Sequence, residues 1–168
     1  MDRILPLLAG LLACLALKAH AEAFPSTYQL PAAPPVLLQN ATVLTGDGQR
    51  LDNASVYLAD GKVAWIGDGD VAANARVVDA TSQWITPGLI DVHSHLGVYP
   101  SPGVAAHSDG NEATAPVTAE VWAEHSVWPQ DPGFTRALAG GVTALQILPG
   151  SANLFGGRGV TLKNVPSI

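Results

Sequence analysis

The sequence predicts an α/β protein in which a small antiparallel β unit, residues 36–86, leads into a strand, loop, helix and strand that open a parallel sheet. Three observations carry this expectation. Asp60-Gly61 stands between two apolar-rich runs, 55–59 and 62–67, and Asp-Gly in that setting is the strongest short-range hairpin signal. At Pro87-Gly88 the pattern changes to the run from Leu89 to His95, which does not read as a hairpin arm. A helix signature comes later, with Asp131 as cap, Pro132 at the first helical position and Gly140-Gly141 past the end, ahead of a second strand from Val142 to Leu148. Strands joined across a helix pair in parallel.

The elements follow in order. Met1, Asp2 and Arg3 make a weakly basic start, Ile4 to Leu17 is an apolar run interrupted by Pro6, and Ala19-His20-Ala21 offers small residues where a signal peptidase reads. That layout predicts a cleaved signal peptide over 1–21. The run is shorter than the roughly 20 apolar residues a spanning helix needs. Cys14, in Leu11-Leu12-Ala13-Cys14, resembles a lipoprotein attachment site, but Leu15-Ala16-Leu17 stay apolar behind it, so the reading favours a periplasmic or secreted product over a lipid anchor. Residues 22–35, with four prolines, read as an extended lead-in. The β unit 36–86 contains two glycosylation sequons, at Asn40 and Asn53, relevant only in a eukaryotic source. Residues 87–168 then hold the parallel unit. Their long loop, about 97–130, is expected to include a short helix from Val117 to His125, with Glu120 and Glu124 one turn apart. A glycine-rich stretch to Gly159 precedes a last run, Val160 to Lys163.

Composition narrows the class. The 168 residues carry a formal charge of −6; the expected mature form loses one acid and two bases, leaving 13 acidic against 6 basic residues. That sign argues against nucleic acid or an anionic membrane as partner. With Cys14 removed the mature chain has no cysteine, which excludes disulfides, thiolate ligands and a thiol nucleophile. The apolar share, 48%, fits a packed domain.

Chemistry concentrates in PGLIDVHSHLG, residues 87–97. Alternate side chains of a strand share a face, so Asp91, His93 and His95 are expected to point the same way. Two imidazoles so spaced at a strand end can ligate one metal ion, and histidine is a common ligand for zinc and related ions. Asp91, one layer deeper, is placed to orient a ligand or to anchor the strand. Gly97 is expected to let the backbone turn away above the metal. A bare His-x-His remains weak as a motif; its setting strengthens it.

That setting resembles a known family. The stretch VVDATSQWITPGLIDVHSHLG, residues 77–97, is similar to the entry into the barrel of the amidohydrolase superfamily, and AGGVTALQILPGSANLFGGRG, 139–159, looks like its imidazolonepropionase-like and prolidase-like branches. Ser82-Gln83 departs from the glycine that many members carry in that turn. The resemblance runs from about Val36 onward. It implies the first part of a composite β-sandwich over 36–86, then the first strands and helix of an incomplete (β/α)8 barrel over 87–168. It implies that His93 and His95 hold one or two divalent ions, foremost Zn2+, which activate water to hydrolyse C–N bonds in cyclic amides, lactams or dipeptide-like substrates. The family's remaining ligands and its proton-shuttling aspartate lie on later strands, for which this sequence has no counterpart. A barrel has eight strands and about 250 residues, so the sequence reads as an N-terminal piece, expected to be inactive by itself.

Other residues carry weaker expectations. His107, His125, Ser151 and Asn153 lie in loops at the expected barrel mouth and are candidate contacts for a small-molecule substrate, against the blander roles of loop packing and backbone satisfaction. Asp109, Glu112, Glu120 and Glu124 read as solvated charges, and Gly156 to Gly159 lacks the Lys-Ser/Thr ending of a phosphate loop. A homo-oligomer is compatible with the sequence. Two rival readings stand beside the hydrolase: an exported β-rich binding or structural module, and a catalytically dead relative.

Overall fold

The computed structural model describes residues 32–165. The expected signal peptide, Cys14 and residues 22–31 of the lead-in lie outside the described residues. The apolar run Val36–Leu44 forms β1, which pairs antiparallel with β2 (Arg50–Ala59); β2 pairs antiparallel with β3 (Lys62–Ile66). Between β2 and β3, Asp60 and Gly61 take φ of 51° and 70°, the two positive values that a tight hairpin turn matching strand twist requires.

The unit is not purely antiparallel as expected. β4 (Arg76–Asp79) and β5 (Trp84–Ile85) both run parallel to β1, giving the order β3-β2-β1-β4 with β5 also beside β1. After β3 the chain returns to the start of β1, where the Arg76 N–H donates to the Pro35 carbonyl at 2.8 Å, and then follows β1 in its own direction. Apolar alternation encodes which face is buried but not strand direction, so this crossover left no trace in the pattern. Ala41, Val43, Val56 and Ala80 form the buried centre, flanked by Leu38, Leu51, Leu58 and Ile85.

The second region is a three-stranded sheet in the order β6-β7-β8. β6 (Leu89–Ser94) and β7 (Val142–Ile147) are parallel, connected through a long loop and α1 (Pro132–Ala139). β8 (Val160–Lys163) pairs antiparallel with β7 and forms the edge of the sheet on that side among the described residues. α1 starts as its sequence indicates: the Asp131 carboxylate accepts from the Gly133 N–H at 2.8 Å, and Gly141 at φ 90° ends the turn past Gly140. Val98, Ala123, Leu145 and Ile147 make the buried centre of this region, with Leu96, Tyr99, Phe134 and Leu162 against it.

The helix expected from Val117 to His125 is absent. Only Ala123–His125 makes a 3-10 turn, and Glu120 and Glu124 are exposed. The segment instead runs beside 155–158: the Thr118 N–H donates to the Phe155 carbonyl at 2.8 Å, Ala123 to Arg158 at 2.9 Å, and Arg158 back to Val121 at 2.7 Å. These groups are thereby taken from any i to i−4 ladder, and a long-range pairing overrides local propensity. Among the described residues no helix is long and apolar enough to cross a membrane.

Candidate metal centre

His93 lies in β6 and His95 immediately after its last residue. Asp91 faces Leu145 and Ser94 faces Ile147, so β6 carries one extra residue between these pairs. Such irregularities re-aim side chains, and this one spans Val92 and His93. The two rings have centres 5.4 Å apart and stand at 83° to each other. His93 is exposed and His95 half-buried.

The end of β7 holds His95 in place. The Leu148 N–H donates to the Ser94 carbonyl at 2.9 Å, and the Leu148 carbonyl lies 2.9 Å from His95 Nδ1. A carbonyl only accepts, so Nδ1 carries the proton of this bond, which leaves Nε2 as the nitrogen that a metal ion could take. Metal-binding histidines are oriented in this way, by donating the second ring nitrogen to a carbonyl or carboxylate. Asp91 is half-buried, and its Oδ1 accepts the His93 backbone N–H at 3.0 Å. It therefore braces the backbone beneath His93.

The loop beyond is anchored by Asp131, one of the few fully buried polar groups, 2% exposed. Oδ2 accepts the Gly97 N–H at 2.9 Å, and Oδ1 accepts those of Ser101 at 3.1 Å and Gly133 at 2.8 Å. Burial pushes this carboxyl up, but the bonds from Gly133, Gly97 and Ser101 together prevail and hold it below the usual carboxylate range. Gly97 sits at φ 76°, and a Cβ there would approach Val127 at 3.0 Å and Phe134 at 3.1 Å. Gly97 thus turns the chain away after His95, as the sequence suggested, and also packs closely against α1 and the loop. The capping role of Asp131 was visible in Asp-Pro; its hold on Gly97, 34 residues away, had no local signal.

Imidazoles sharing one ion at a metal–nitrogen distance of about 2.0–2.1 Å bring their ring centres to within about 5–6 Å, and His93 and His95 meet that spacing. A ring oriented through Nδ1 also suits a divalent ion at Nε2. The pair fits two positions of such a site. Among the described residues no group of three or more His, Cys, Asp or Glu side chains is placed to hold an ion.

Among the described residues neither His107 nor His125 completes a metal-binding group with the pair. His107 Nδ1 donates to the Pro100 carbonyl at 3.1 Å, and its ring lies 6.4 Å from Trp128. His125 is exposed and stacked on Trp122 at 5.8 Å, with the Arg158 guanidinium 4.9 Å from the centre of that indole. Ser151 is exposed. Asn153 Nδ2 donates to the carbonyls of Glu112 and Ala115 at 2.5 and 2.9 Å, tying two loops together, while its Oδ1 is buried and has no partner among the described residues.

Comparison with known proteins adds an independent line. No family model matches the chain. Amidohydrolase tasK of Hapsidospora irregularis is 33% identical over 150 residues, covering 77% of this chain and 15% of that protein. D-hydantoinase of Rhizobium radiobacter is 38% identical over 61 residues, covering 36% of this chain and 13% of that one. An amidohydrolase from Thermotoga maritima superposes with a TM-score of 0.70 at 42% identity, over 77% of this chain and 34% of the other. The chain thus spans between 13% and 34% of the length of these three relatives.

Proposed function

The chain belongs to the amidohydrolase superfamily, and on that premise we propose that it supplies the first metal-binding strand of an exported, divalent-metal-dependent hydrolase of C–N bonds. The observation that carries this reading is the paired His93 and His95 at the end of a parallel strand, with His95 Nδ1 fixed by the Leu148 carbonyl. The substrates are small molecules with cyclic amide, lactam or dipeptide-like bonds, in keeping with relatives named hydantoinase and dihydroorotase. Zn2+ is the ion that the family resemblance puts first, while two imidazoles also accept iron, manganese or nickel. The further parts of the proposal are an N-terminal β-sandwich half, a (β/α)8 barrel begun by β6 and β7, and export through residues 1–21.

A bound divalent ion supplies a water of lowered pKa and polarises the carbonyl under attack. This chain's residues position. His93 and His95 would hold the ion, Leu148 orients His95 through Nδ1, and Asp91 fixes the backbone at His93. Asp131 holds the turn after His95 through Gly97 and Ser101. The test is turnover by the intact protein on a panel of five- and six-membered cyclic amides, before and after chelation. The proposal expects hydrolysis that chelator abolishes and Zn2+ restores. Hydrolysis indifferent to chelation, or no turnover of any C–N substrate by metal-loaded protein, contradicts it.

A further inference from the structure

Leu148 secures one nitrogen of His95, but a ring held by a single hydrogen bond can still tilt about it. We infer that Tyr99, locked by Asn111, is a positioning residue that removes this freedom and so sets the metal affinity of the site. The inference rests on the reading of His93 and His95 as ligands. Tyr99 follows His95 by one turn of chain, its N–H donating to the His95 carbonyl at 2.9 Å. The two rings meet at 5.6 Å and 84°, the edge-to-face arrangement that aromatic pairs favour.

Tyr99 is itself confined. Asn111 Nδ2 donates to its hydroxyl at 2.6 Å, and Asn111 Oδ1 accepts the Ala152 N–H at 3.0 Å, so the amide is fixed at both ends. Gly110 and Gly150 line the slot and are joined by a 2.8 Å hydrogen bond from the Gly150 N–H to the Gly110 carbonyl. A Cβ on Gly110 would come within 2.5 Å of the Tyr99 ring, and one on Gly150 would collide with the Tyr99 hydroxyl and Asn111. Glycine at both positions admits the ring in one place. The loops after β6 and β7 thus converge on Tyr99, which passes their rigidity to His95. Partners that hydrogen-bond a metal ligand change metal affinity by about 10- to 100-fold when lost, and the ring contact of Tyr99 is expected to act at the lower end of that range.

The experiment measures Zn2+ affinity of the intact protein by chelator competition, together with the visible spectrum of its Co2+ form. Tyr99→Leu is expected to weaken Zn2+ binding by about tenfold or more and to alter the Co2+ bands. Tyr99→Phe, which keeps the ring, recovers most of the affinity. Asn111→Ala, which leaves the core untouched, weakens binding about as much as Tyr99→Phe, and the Tyr99→Phe/Asn111→Ala double variant is no worse than either single one. His95→Ala serves as the reference. If it binds Zn2+ as wild type does, the ligand reading itself fails. If it loses the metal while Tyr99→Leu and Asn111→Ala bind normally with an unchanged Co2+ spectrum, the positioning role is overturned and the ligand reading stands.

Discussion

Side by side in one sheet, β6 leaves Leu89, Ile90 and Val92 exposed to 58%, 68% and 68%, whereas β7 buries Leu145 and Ile147 completely. Both strands are short, parallel and apolar in sequence. β7 packs into a cluster with Val98 and Ala123 from the long loop, and Phe134 of α1 and Leu162 of β8 close around it. Among the described residues β6 has no such cover, and it carries the candidate ligands; in the proposed barrel, later strands and helices would supply that cover. Its order at the histidines is borrowed from neighbours: Leu148 at the end of β7 holds Ser94 and His95, and Asp131 at the start of α1 holds Gly97. Burial fixes one strand and polar anchoring fixes the end of the other. Mutations should therefore separate a stability strand from a chemistry strand.

The largest separation is expected in activity. His93→Ala or His95→Ala should lower kcat/KM of the intact enzyme by at least about 1,000-fold, well beyond the 10- to 100-fold typical of residues one layer back from the metal, with little change in its unfolding midpoint. A similar loss of stability would show the histidines to be packing residues. In stability the order reverses. Leu145→Ala should cost this chain about 2–5 kcal/mol in urea unfolding, whereas Ile90→Ala, already solvated, should cost less than about 1 kcal/mol. Equal costs would erase the contrast between the strands.

Gly97 and Asp131 test the anchoring itself. Gly97→Ala combines a positive φ with contacts near 3.0 Å and should destabilise by roughly 1–3 kcal/mol. Asp131→Asn gives a smaller, pH-dependent effect. The Asp131 carboxyl is held below its ordinary value in the fold, so its contribution is complete above about pH 4, the unfolded value, and fades as pH falls through the lower folded value. The stability difference between wild type and Asp131→Asn should therefore shrink on acidification below about pH 4. The lowered carboxyls of Asp47 and Asp79 are present in both proteins and cancel in this difference. A difference that grows on acidification would contradict the anchoring role.

How much of this was legible in the sequence varied with the range of the interaction. The Asp60-Gly61 turn, the cap at Asp131 and the His93, His95 pair each depend on residues within a few positions, and each could be read directly. The parallel return of β4 and β5, the pairing of 117–123 with 155–158 and the antiparallel course of β8 are set by distant segments. Local periodicity is blind to them. The same holds at the site. The spacing of His93 and His95 was visible, but the carbonyl that orients His95 is backbone at Leu148, 53 residues away, and any residue type supplies a carbonyl. Of the two roles the sequence offered Asn153, substrate contact and backbone satisfaction, its amide takes up the second, donating to the carbonyls of Glu112 and Ala115.

The central claim is that His93 and His95 are metal ligands, and the most direct test is metal stoichiometry. Elemental mass spectrometry of the intact protein purified from its source, beside a His93→Ala/His95→Ala variant prepared identically, would decide it. The account predicts one or two divalent ions per chain in the wild type and the loss of at least one in the variant. An unchanged complement in the variant, or a wild type without metal after growth in zinc-replete medium, would contradict it.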